Sequence, residues 1–171
     1  MVGNVAKRIA EIVIIAEDLR QGNLAKNYLK RDGHSYRNMR LDISPPSRGS
    51  GEQFVRERYP EEVQYYRSHS THRKAALVVM IDADKSTVAY REGQLERPAR
   101  KKSEKIALLI PKRHIETWIL CLTGDGVDEA TDYKSTKDID GKIKQAAEPS
   151  MTGAATALPF PMVVFRHSRR D

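Results

Sequence analysis

The sequence predicts an α/β fold of three layers, a mostly parallel four-stranded sheet flanked by helices on both faces. Three observations predict it. Four runs read as strands, at 11–17, 35–43, 75–82 and 106–110, and three of them are apolar in their interiors. Segments with helical spacing separate them, the pattern of a parallel sheet. Hydrophobic residues make up 39% and charged residues 31% of 171, enough to bury one domain core and too apolar for a disordered chain.

Each element has its own signal. "EIVIIAE" (11–17) is a buried first strand, and "DLRQGNLAKNYLKR" (18–31) follows with Leu24, Ala25, Tyr28 and Leu29 at helical spacing and Gly33 just past its end. "SYRNMRLDI" (35–43) is a second strand of mixed character, followed by the loop "SPPSRGSG" (44–51). "EQFVRERYPEEVQYYRSH" (52–69) is helical, with Pro60 expected to end or kink its first part. "AALVVMID" (75–82) is the strongest strand. The polar stretch 86–105 contains a helix broken near Gly93 or Pro98, and "IALLI" (106–110) is a fourth strand closed by Pro111. In "RHIETWILCL" (113–122), Ile115, Trp118, Ile119 and Leu122 share one helix face. The domain spans 1–145. Residues 146–171 read as a tail or arm, without a charged residue from Pro149 to Phe165.

Cys121 is the only cysteine, so an internal disulfide framework is excluded and the chain suits a reducing cytoplasm. The N-terminal apolar run is too short for a signal peptide or a membrane span. A net charge of +7 makes a polyanion a reasonable partner, although a basic surface also serves solubility.

Four acids stand where a parallel sheet would gather them. Glu17 ends the first strand, Asp82 and Asp84 end the third, and Glu116 lies in the first turn after the fourth. All are C-terminal edges, where α/β sheets bind ligands. Oxygen ligands of this kind suit Mg2+ or Mn2+. Each acid also has a plainer reading. Asp18 fits a helix N-cap, Ser86 and Thr87 can start a helix by themselves, and Lys112 or Arg113 can pair with Glu116.

Basic residues accompany the acids. From Arg91 to Arg113 there are eight Lys or Arg against three acids, with "RPARKK" densest. Arg48, Lys85, Arg100, Lys101, Lys102, Lys112 and Arg113 are candidates for contacts with nucleic acid, beside the reading of "RPARKK" as a solvated loop. His114 stands next to the proposed acids. Tyr65 and Tyr66 are candidates to stack on bases, whereas Trp118 suits the core. His69 and His72 resemble a metal pair but lack further ligands nearby.

"VIIAEDLRQGNLAKNYL", "VVMIDADKS" and "LLIPKRHIETWIL", in this order, resemble the Toprim fold, in particular small bacterial Toprim-like proteins related to the overcoming-lysogenization-defect nucleases. The likeness covers roughly residues 11–135. The family often has Gly directly after its glutamate, where this chain has Asp18 and a later Gly22. The resemblance implies a nuclease that hydrolyses phosphodiester bonds of DNA or RNA, DNA being favoured. Asp82 and Asp84 would hold Mg2+ or Mn2+, Glu17 would be a further ligand or general acid/base, and Glu116 would complete a second metal site. It also implies a separate ATPase partner, often in defence against phage; the sequence has no Gly-x-x-x-x-Gly-Lys-Ser/Thr phosphate loop of its own. A homodimer is compatible with the tail. Two alternatives stay open: a haloacid-dehalogenase-type phosphatase, with Asp82 as nucleophile and Asp84 as acid/base, and a non-catalytic nucleic-acid-binding subunit.

Overall fold

A computed structural model describes residues 9–47, 49–128 and 130–147. Strands β1 (Glu11–Ala16), β2 (Met39–Ile43), β3 (Ala75–Met80) and β4 (Ile106–Leu109) form one sheet in the order β2-β1-β3-β4, and every pairing is parallel. The helices are α1 (Leu19–Arg31), α2 (Gly51–Ser70), α3 (Val88–Gln94), α4 (Ile115–Leu122) and α5 (Ile139–Ala146). The α/β class is as expected, and the sheet is wholly rather than mostly parallel.

Alternation along the strands builds two cores. Ile12, Ile14, Ala76, Val78, Met80 and Leu109 point toward α1, α4 and α5, meeting Leu24, Leu29, Ile115, Ile119 and Ile143. Val13, Ile15, Leu77, Val79, Ile81 and Leu108 point the other way, onto Val55, Tyr59, Val63 and Tyr66 of α2 and onto Leu95. Both faces are covered, so β3 is buried from end to end and reads as a continuous apolar run. At the edge of the sheet, β2 is only half-buried along its length, which explains its mixed sequence.

Several boundaries differ from expectation. The second strand starts at Met39, after a 3-10 turn at Tyr36–Asn38, and the third ends at Met80. The helix at 51–70 continues through Pro60. Losing one backbone hydrogen bond there is outweighed by Val55, Tyr59, Val63 and Tyr66, which anchor the helix on both sides of the proline. The helix in the polar stretch is the single short α3. Helix α5 is an addition: Ile139, Ile143 and Ala146 place one face on the first core, too short a pattern to stand out in sequence. Of the tail, 148–171 lies outside the described residues. Among the described residues no helix is long and apolar enough to cross a membrane.

Candidate active site

Parallel strands aim their C-terminal ends at one edge, and the helices that follow begin there with N-termini facing it. Asp18 is the N-cap of α1, its Oδ1 accepting from the Gln21 backbone N–H at 2.9 Å. Thr87 caps α3, accepting from the Tyr90 N–H at 3.1 Å. Neither role falls to Glu17, Asp82 or Glu116.

Glu17 reaches from the end of β1 across to the end of β3, where its Oε1 accepts the Asp82 backbone N–H at 2.5 Å. Gln21, fully buried one turn into α1, ties the pair together. Its Oε1 accepts the Glu17 N–H at 3.0 Å and its Nε2 donates to Asp82 Oδ1 at 2.9 Å. The start of α2 presses against the same corner: a Cβ on Gly51 would stand 2.7 Å from Glu17 O and 2.8 Å from Glu17 Cβ. Only glycine allows that approach.

Burial is the main reason the Asp82 carboxyl is pushed up to about 8, with the charges of Glu17, Glu116 and Asp18 adding to it. The Ile115 N–H at the start of α4 offsets part of the shift. Burial likewise pushes Glu17 up to about 7; the Asp82 N–H opposes, and Asp18 and Asp84 reinforce. Both shifts favour the protonated acid, and positive charge beside the carboxylates would oppose them.

Glu116, 4% exposed, sits in the first turn of α4 with its Oε1 accepting from Arg20 Nη1 at 2.8 Å. Its Oε2 is buried without a hydrogen-bond partner. Arg20 is held from the other side by Asp140 of α5, whose Oδ1 lies 2.8 Å from Nε. The expected partners of Glu116 were Lys112 and Arg113; the observed one is Arg20, ninety-six residues away. No sequence signal announced Arg20 or Gln21, because each acts across the fold.

Asp84 sits at the rim, more exposed, with a left-handed backbone (φ 57°). His114 Nδ1 lies 3.0 Å from Asp84 Oδ1 and 3.8 Å from Asp82 Oδ2, out of line with both for a hydrogen bond. Lys134 Nζ lies 3.4 Å from Asp84 Oδ1. Behind the acids, buried Arg91 donates to the Asp82 carbonyl at 3.1 Å and to Glu52 Oε2 at 2.6 Å, fixing the 82–84 turn. A cleft of about 510 Å3 lined by Asp18, Arg20, Asn23 and Asp140 opens beside α1.

The basic candidates divide. Lys85, Lys112 and Arg113 belong to the turns after β3 and β4, on the acid edge. Arg100, Lys101 and Lys102 precede β4 and lie at the opposite end of the sheet; Arg100 is occupied by Glu92 at 2.8 Å. Arg48 lies outside the described residues. Tyr66 is buried and accepts the Lys105 N–H at 2.8 Å, so base stacking by it is not supported. Tyr65 bonds Glu11 at 3.0 Å and stacks on His69. Trp118 packs against the first core as expected.

Among the described residues, no group of three or more His, Cys, Asp or Glu side chains is already arranged around a point that could hold a metal ion. The donor set is nonetheless of the right chemistry for a hard divalent cation. It offers carboxylate oxygens, with Glu116 Oε2 buried and unpartnered. Comparison of the chain with protein-family models, with curated proteins and with solved structures finds no match.

Proposed function

We propose that the chain is a metal-dependent nuclease that hydrolyses phosphodiester bonds of nucleic acid, DNA in preference to RNA, at the edge formed by Glu17, Asp82 and Glu116. One observation carries the reading. These three carboxylates gather at the edge where the strands end, and burial, reinforced by neighbouring acids, pushes Glu17 up to about 7 and Asp82 up to about 8. Such an arrangement is costly for stability unless a cation or a proton-transfer role compensates.

Glu17, Asp82 and Glu116 would hold Mg2+ or Mn2+, with Asp84 at the rim. When bound, the ion would polarise the phosphoryl oxygen and favour deprotonation of water. The protein contributes the rest. Gln21 and the Asp82 N–H fix the two inner carboxylates, and Arg20 neutralises Glu116 until a cation does so. Lys85, Lys112 and Arg113 supply positive charge toward a phosphate, and His114 stands at the rim beside Asp84. A phosphatase reading with Asp82 as nucleophile suits the geometry less. A nucleophile must be free for in-line attack, whereas Asp82 is 7% exposed and its Oδ1 is held by Gln21 Nε2.

The experiment is cleavage of end-labelled DNA and RNA with Mn2+, Mg2+ or EDTA. Cleavage should require the metal and fall at least about a hundredfold in Asp82→Asn, on the scale of one lost transition-state contact. Undiminished cleavage in EDTA would overturn the proposal.

A further inference from the structure

The densest positive charge among the described residues lies away from the acid edge. Chain segments that enter the strands lie at the opposite, N-terminal edge: 30–38 before β2, 71–74 before β3 and 95–105 before β4. Backbone hydrogen bonds bring them side by side. The Ala10 N–H donates to Lys74 O at 2.7 Å and the Leu77 N–H to Lys105 O at 2.9 Å, while Asn38 Nδ2 reaches Ile9 O at 3.4 Å. Together these three segments hold ten Lys or Arg against only Asp32, Glu96 and Glu104. Among the described residues outside these segments, 14 Lys or Arg stand against 17 Asp or Glu, so the excess of positive charge is concentrated here.

The basic end is also built rather than loose. Arg67 of α2 grips the loop before β4, donating to Glu104 Oε1 at 2.6 Å and to Ala99 O at 2.8 Å. Tyr59 donates to Pro98 O at 3.2 Å, and Tyr66 accepts the Lys105 N–H. Glu104 is used up in this clasp: its Oε2 also accepts the Lys101 N–H at 2.8 Å. The one acid closest in sequence to Lys101 and Lys102 is thus already paired with Arg67. Arg37, Arg73, Lys101 and Lys102 are all exposed on this end. Across four strands the face is about 14 Å wide, and the length of β1 puts it roughly 20 Å from the acids.

We propose that this end face is a separate docking surface for the phosphate backbone of nucleic acid, which anchors the polymer away from the carboxylates instead of presenting a phosphate to them. A backbone rich in charge and poor in shape demands suits such a face of exposed cations on tied-down backbone. The inference does not rest on the cleavage reading and would stand if the acid edge had another role.

The test is fluorescence anisotropy of a labelled 30-nucleotide single strand in EDTA, titrated from about 0.05 to 0.3 M salt. Wild-type protein should bind with strong salt dependence. Arg73→Ala/Lys101→Ala/Lys102→Ala should lower the slope of log K against log salt by about 2, three contacts at roughly 0.7 each, and weaken binding at least about tenfold. The charge-keeping Lys101→Arg/Lys102→Arg should bind as wild type, and circular dichroism should show both variants folded. Glu17→Gln and Asp82→Asn should keep the wild-type slope. Unchanged binding by the triple alanine variant, or no wild-type binding at the lowest salt, would overturn the inference. Absence of metal-dependent cleavage with binding intact would instead count only against the nuclease proposal.

Discussion

Asp82→Asn should stabilise the protein at high pH and leave it unchanged at low pH. The folded-state carboxyl is pushed up to about 8 from an ordinary 3.8, so the fold favours the protonated acid. The stability this contributes is complete below pH 4 and is lost as pH rises through 8. Glu17, raised to about 7 from 4.5, acts in the same direction. Asparagine has the shape of the neutral acid and keeps an oxygen for Gln21 Nε2 and the Ile115 N–H. At full amplitude four units amount to about 5 kcal/mol, but part of the shift is the Glu17 charge, and local relaxation around a lone charge lowers the cost further. We therefore expect about 2 kcal/mol at pH 9, which for a chain of this size raises Tm by roughly 4–8 °C. The assay is thermal melting of wild type and variant in EDTA at pH 5, 7 and 9. An offset that is the same at pH 5 and pH 9, or a variant less stable at pH 9, would refute the account of a strained carboxylate.

Gly51→Ala should destabilise by about 1–3 kcal/mol in urea melts, because its Cβ would press on backbone and Cβ atoms of Glu17 that have no free end to swing away. It should also slow metal-dependent cleavage, since Glu17 must shift; a silent substitution would show that α2 does not position the acid. Glu116→Gln should leave nucleic-acid affinity within about twofold while slowing cleavage about a hundredfold or more. An unaffected cleavage rate would remove Glu116 from the site.

The sheet was legible because burial on both faces forces strands to be apolar without interruption, as in β1 and β3. The three inner acids were legible because parallel topology makes the residue after a strand an edge residue. What sequence left out is long-range pairing. Arg20 finds Glu116 and Asp140 through helix packing, and Gln21 bridges Glu17 to Asp82 through its place one turn into α1. Nothing local distinguishes either from an ordinary polar helix residue. Charge patterning misled in one respect: "RPARKK" is near the acids in sequence but enters β4 at the far end of the sheet, a reversal that only strand direction reveals.

Isothermal titration of Mn2+ into wild type and Asp82→Asn at pH 8, in two buffers of different ionisation enthalpy, tests most directly whether the acid edge is a divalent-cation site. Binding to wild type should release roughly half a proton, mostly from Asp82, and Asp82→Asn should bind at least about tenfold more weakly. No heat of binding to wild type, or equal affinity in the variant, would contradict the account.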